Sequence, residues 1–89
     1  MRRKTPNPLP GNILKLNPYV DVYLYKDLNH FRGKKLGLVH PPLVPKGSII
    51  LTLQMKRIKD GLQTFDMLRV LTPVGMGWVM FFDYNFSGV

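Results

Sequence analysis

The residues of this chain that could do chemistry are aromatic and basic. The segment YVDVYLYK places its tyrosines on one side, and a turn-rich loop with a phenylalanine and several cations follows it. Small barrels bind single-stranded nucleic acid in this way, stacking rings on bases and pairing cations with phosphates. The candidate nucleic-acid residues are Tyr19, Tyr23, Tyr25, Phe31, Arg32, Lys34 and Lys35. The alternative is that the tyrosines cover the sheet or a subunit contact, while the cations keep the protein soluble.

Patterns for catalysis and metal binding are weak. His30 and His40 are the two histidines, neither has a carboxylate at ligand spacing, and the chain has no cysteine. Zinc sites are built from such ligands, so we expect no metal. Ser48 and Ser87 lie near glycines, but neither has the Gly-x-Ser-x-Gly pattern of a nucleophile. The sequence therefore predicts a protein that is not an enzyme, with no cofactor and no small-molecule substrate.

Composition favours one small β-rich domain. The chain has 89 residues, of which 45% are hydrophobic, and 13 Lys and Arg against 5 acids give a net charge of +8. Every acid is Asp, and Ala and Glu, two strong helix formers, are missing. Without cysteine there are no disulfides, and small domains without such cross-links often rely on a partner subunit. A homo-oligomer is therefore expected.

Targeting signals are also weak. The basic start Met1-Arg2-Arg3-Lys4 is followed by a proline-rich stretch rather than an apolar segment. The apolar run 70–82 is interrupted by Pro73, Gly75 and Gly77, and it is too short to cross a bilayer as a helix. We expect a soluble, cytoplasmic protein with no membrane contact.

The chain divides into a basic, proline-rich N-terminal arm, 1–12, and one domain, 13–89. The arm is either a solvated terminus or an extension that contacts phosphates or a neighbouring subunit. In the domain, alternation and turn residues predict about five strands, with hairpin turns at 59–61 and 73–75. The strand candidates are Tyr19–Lys26, Leu36–His40, Ile49–Ile58, Gln63–Thr72 and a segment around Trp78. In the third of these, Ile49, Leu51, Leu53 and Met55 share the face expected to line the interior.

Five short strands in a chain of this size favour closure into a small barrel. The segments GMGWVMFFDYNF and VDVYLYKD, with Gly77-Trp78-Val79 as their one quotable motif, resemble an SH3-like barrel over roughly 19–86. The resemblance implies an all-β, five-stranded SH3-like barrel with an extended N-terminal arm. An Sm-like barrel, which assembles into rings, is the rival. Peptide-binding SH3 domains carry acidic residues in the first loop, whereas the loop 27–35 is basic. The resemblance therefore does not imply binding of proline-rich peptides.

The segment from Met76 to Phe86 carries more apolar residues than one small core needs. Such a surplus is typical of a surface that self-associates. The candidate interface residues are Trp78, Met80 and Phe82. Two hypotheses follow: a non-catalytic assembly or protein-interaction module that self-associates and, as the alternative, a barrel that binds RNA or single-stranded DNA through a basic, tyrosine-rich face.

Overall fold

A computed structural model describes residues 5–28 and 41–89 of the chain. The described part contains a five-stranded antiparallel sheet with strand order β4-β3-β2-β1-β5. The strands are β1 (Ile13–Leu16), β2 (Ile49–Asp60), β3 (Gln63–Thr72), β4 (Gly75–Met80) and β5 (Phe86–Gly88), and a 3-10 turn (Asp83–Asn85) precedes β5. The prediction of an all-β small domain is confirmed.

Two tight hairpins join β2, β3 and β4, as predicted. Asp60 pairs with Gln63 across a two-residue turn, and Gly61 adopts a φ of +63° there. Glycine adopts this left-handed conformation without a steric penalty. In the second hairpin Thr72 pairs with Gly75, which has a φ of +125°. The turn residues therefore fix the register of both hairpins.

The predicted continuous strand Tyr19–Lys26 is wrong. Its alternation is real, because Val22 and Leu24 are buried while their neighbours point outward, but the segment makes only isolated bridges. Tyr23 bridges to Leu43, and Tyr25 bridges to Trp78. The segment thus pairs with two different parts of the chain instead of with one strand. Prolines at 41, 42 and 45 flank Leu43 and cannot donate to a ladder, which limits pairing on that side.

Two of the observed strands, β1 and β5, are not among the predicted ones. They pair with each other at the end of the sheet, with Leu16 opposite Phe86. Both strands are short, so their alternation is too brief to stand out in the sequence. The candidate strand Leu36–His40 lies outside the described residues.

The buried core lies on one face of the sheet, beneath the connection between β1 and β2. It contains Leu14, Leu16, Val22, Leu24, Val44, Ile50, Leu68, Val70, Val79 and Phe86. The expected interior face of β2 is wrong: Ile49, Leu53 and Met55 are exposed and Leu51 is half-buried. Ile50 and Thr52 are buried in their place, and a bulge between Thr52 and Gln54 then shifts the register.

The described part of the N-terminal arm lies against the domain. Gly11 donates its N–H to the Thr52 carbonyl at 2.8 Å, and Thr52 donates back to Asn12 at 3.0 Å. Pro6 is buried. Within residues 5–28 and 41–89, no helix is both long and apolar enough to span a membrane.

Candidate interaction surfaces

An apolar row crosses the outer face of the sheet. Ile13 of β1 lies opposite Leu51 of β2, Leu51 lies opposite Leu71 of β3, and Leu71 lies opposite Met76 of β4. Ile13, Leu71 and Met76 are 48%, 49% and 52% exposed, and Leu51 is half-buried. We call Ile13, Leu51, Leu71 and Met76 the apolar row. Four directly paired aliphatic side chains form a continuous hydrophobic strip rather than scattered exposed residues.

Because side chains alternate between the two faces of each strand, the apolar row lies on the face opposite the core. Leu14, Val70 and Gly77, the next residues along their strands, face the interior and are buried. Ile49 widens the strip, and a shallow hollow of about 280 Å³ lies between it and the row. The nearest charged residues along β1 and β3 are Lys15 and Arg69, which are both exposed. The face is therefore apolar at its centre and cationic at its margin.

A second surface lies where the β1–β2 connection meets the end of β4. Tyr23, Tyr25, Met80 and Phe82 line a groove of about 130 Å³, together with Asp21, Val22 and Asn85. The rings of Tyr23 and Tyr25 lie 6.4 Å apart with a 50° tilt, and Phe82 stacks on Tyr84 with 5.5 Å between centroids. We call this depression the aromatic groove. Tyr23 and Phe82 are exposed there.

Backbone contacts fix both walls of the aromatic groove. Tyr25 and Trp78 exchange two hydrogen bonds of 2.8 Å, which hold the tyrosine wall against β4. On the other wall, Asn85 donates its N–H to the Phe82 carbonyl at 2.9 Å. The Asn85 carbonyl accepts from the N–H of Asn17 at 2.8 Å. The walls thus belong to the rigid part of the fold.

One carboxylate, that of Asp21, lines the aromatic groove. Asp21 lines the groove and pairs with Lys46 at 3.4 Å. Asp83 lies between Phe82 and Tyr84 in the sequence and is exposed. Burial, and secondarily the neighbouring Tyr23, raises the pKa of the Tyr25 phenol above its ordinary value, so Tyr25 stays neutral at physiological pH. A neutral aromatic ring thus lies near one carboxylate in this groove.

The structure brings part of each predicted residue set together. Tyr23 and Tyr25, expected to bind nucleic acid, share the aromatic groove with Met80 and Phe82, expected at an interface. Tyr19 is 89% exposed and does not line this groove. Trp78 is half-buried beside Tyr25. The remaining predicted residues, Phe31, Arg32, Lys34 and Lys35, lie outside the described residues.

The sequence analysis identified neither the apolar row nor Asp21 as a residue that lines the aromatic groove. The apolar row forms because four strands pair in a particular register, and this register cannot be read directly from the sequence. A signal for Asp21 was present, because it alternates with the tyrosines in YVDVYLYK.

The described residues contain no group of three or more His, Cys, Asp or Glu side chains that could hold a metal ion. No protein-family model matches the chain, and neither a curated protein nor a solved structure matches it.

Proposed function

We propose that this protein is a non-catalytic SH3-like small barrel that works as an assembly module and self-associates through the apolar row. The observation that carries the proposal is the directly paired strip Ile13–Leu51–Leu71–Met76 on a sheet face that the described chain leaves exposed. Three features support the SH3-like assignment: five antiparallel strands, a long connection between β1 and β2, and a 3-10 turn before β5.

The apolar row has the chemistry of an interface centre. Fully burying a leucine, isoleucine or methionine side chain contributes about 1.5–3 kcal/mol. Ile13, Leu71 and Met76 are each about half exposed. Burying the exposed half of each side chain in an interface would therefore contribute roughly 1 kcal/mol. In a two-fold symmetric dimer every such residue contributes twice. The cations at the margin, Lys15 and Arg69, stay in the solvated rim, where like charges are screened by salt.

Binding of RNA or single-stranded DNA is the second candidate function. The observation that favours it is the exposed Tyr23 beside the half-buried Tyr25, with rings 6.4 Å apart. Stacking on aromatic rings contributes about 1–3 kcal/mol per base. Asp21 beside these rings repels phosphates, which is why we rank this function second.

The test is light scattering coupled to size exclusion, over a protein dilution series at low and high salt. Leu71→Lys places a charge in the apolar row, and Leu62→Lys is the matched control because Leu62 is fully exposed at the tip of the β2–β3 hairpin. We expect the wild type and Leu62→Lys to associate and Leu71→Lys to stay monomeric. A wild type that is monomeric at the highest concentration would overturn the proposal.

A short oligonucleotide, added in the same experiment, separates the two candidate functions. An assembly module keeps its mass at both salt concentrations and ignores the oligonucleotide. A nucleic-acid binder shifts with the oligonucleotide at low salt and loses the shift at high salt, because phosphate contacts release counterions.

A further inference from the structure

We propose that the aromatic groove binds a basic peptide segment of a partner protein and holds one arginine or lysine side chain against Tyr23, Tyr25 and Phe82. This inference does not depend on self-association, because the aromatic groove and the apolar row share no residue.

The rings give the groove its preference for a cation. An aromatic ring has a negative face, and a guanidinium or ammonium within about 6 Å of the ring centre is attracted to it. Tyr23 and Phe82 are 44% and 37% exposed, so their faces are accessible from solvent. The groove holds about 130 Å³, which is below the roughly 300 Å³ of a typical small-molecule pocket. Its size suits the end of one side chain.

The carboxylate at the groove gives a second, independent reason. Asp21 lines the groove, and the ammonium of Lys46 already lies 3.4 Å from its Oδ1. Lys46 of the same chain thus already forms an ion pair with this carboxylate. Because both side chains are more than half exposed, the pair is weak and an incoming guanidinium, which binds carboxylates in a bidentate fork, can replace the ammonium.

Charge complementarity identifies the partner as basic rather than acidic. The carboxylate that lines the groove is that of Asp21, and it is exposed to an incoming cation, whereas the chain as a whole carries a net charge of +8. A basic peptide is repelled by the chain as a whole, so binding it requires this local site.

The experiment is a titration of the full chain with an acetylated, amidated peptide that contains two arginines spaced by glycines. The comparison peptide replaces both arginines with glutamine. Fluorescence of Trp78, the single tryptophan, reports binding because its backbone is paired with that of Tyr25. Calorimetry gives the affinity independently. We expect the arginine peptide to bind, more weakly at high salt, and the glutamine peptide not to bind.

Matched variants locate the site. Tyr23→Ala should weaken binding roughly three- to tenfold, the loss expected for one cation–π contact, while Tyr19→Ala, outside the groove, should leave it unchanged. Tyr23→Phe keeps the ring and should keep most of the affinity, which separates loss of the site from loss of folding. Asp21→Asn should weaken binding, and Lys46→Gln should strengthen it, since Lys46 competes for the carboxylate.

Equal losses for Tyr19→Ala and Tyr23→Ala would overturn the proposal, as would equal binding of the two peptides. Preference for an oligonucleotide over the arginine peptide would overturn it in favour of the nucleic-acid function. Light scattering on Tyr23→Ala keeps the inference separate from the proposed assembly, because this variant should associate like the wild type.

Discussion

Tyr25 and Trp78 exchange two backbone hydrogen bonds, each 2.8 Å from nitrogen to oxygen. This pair joins the connection between β1 and β2 to the outer edge of β4, so the edge of the sheet is covered at that point. A covered edge cannot template pairing with another chain. The same pair brings the tyrosines beside Met80 and thereby forms one wall of the aromatic groove. The covered edge of β4 and the wall of the aromatic groove thus share one contact.

Gly77→Ala should break this contact. A Cβ at position 77 would lie 2.7 Å from the Tyr25 carbonyl oxygen and 2.8 Å from Leu24 Cδ1. That oxygen cannot move cheaply, because it accepts the N–H of Trp78. We expect a loss of about 1–3 kcal/mol in the free energy of unfolding, measured by urea denaturation, together with altered Trp78 fluorescence.

Gly61→Ala is the control for that substitution. A Cβ there meets nothing within 4 Å, and the cost comes only from the positive φ, roughly 1–2 kcal/mol. Its Trp78 fluorescence should match the wild type. Native fluorescence in Gly77→Ala would contradict the role given to the Tyr25–Trp78 contact.

Thr52→Val should stabilise the protein by roughly 1 kcal/mol. The Thr52 hydroxyl is buried in the core and finds no hydrogen-bond partner within the described residues. A buried polar group without a partner is costly, and valine has nearly the same shape without that group. The measurement is the midpoint of urea unfolding.

Thr72→Val is the matched comparison and should destabilise by a similar amount. The Thr72 hydroxyl donates to the Gly75 carbonyl at 2.8 Å and accepts the Val74 N–H at 3.1 Å, which holds the second hairpin turn. If both threonine variants shifted the midpoint in the same direction, hydroxyl bonding would not be the cause.

The hairpins could be predicted from the sequence because their determinants are local. Gly61 directly follows β2 and Gly75 begins β4, and both take a positive φ, which is typical of glycine in turns. The buried face of β2 could not be predicted in this way. Apolar residues stand on both of its faces near the start, at Ile49 and Ile50, and pairing with β1 and β3 decides which of them is buried.

The candidate site was only half predictable for the same reason. Tyr23 and Tyr25 were identified because they alternate within one short segment. Met80 and Phe82 were identified separately, as interface residues, and no local pattern indicates that they meet the tyrosines. A bridge between residues 25 and 78 brings the two sets together, and contacts so distant in sequence depend on the whole fold.

Alkaline pH should destabilise the protein through Tyr25. Burial first, and Tyr23 second, raises the pKa of this phenol above 10.0, so the folded state favours the neutral form more than the unfolded chain does. The resulting stability is present below pH 10.0 and is lost as the pH rises through the folded-state pKa. The free energy of unfolding, measured from roughly pH 8 to roughly pH 11, should fall less steeply in Tyr25→Phe than in the wild type. Tyr19→Phe, which removes the hydroxyl of a tyrosine that is 89% exposed, is the matched control for the substitution itself.

Substitutions along the apolar row should weaken association in a graded way. Interface energy concentrates near the centre of a contact, so Leu71→Ala, in the middle of the row, should raise the dimer dissociation constant more than Ile13→Ala at its end. Leu71 contributes from both subunits of a symmetric dimer. We therefore expect Leu71→Ala to raise the dissociation constant roughly tenfold or more. Analytical ultracentrifugation over a concentration series measures both constants, with Leu62→Ala as the exposed leucine control. Equal effects of Leu71→Ala and Leu62→Ala would mean that association uses another surface, since the two variants remove the same atoms and only Leu71 lies in the row.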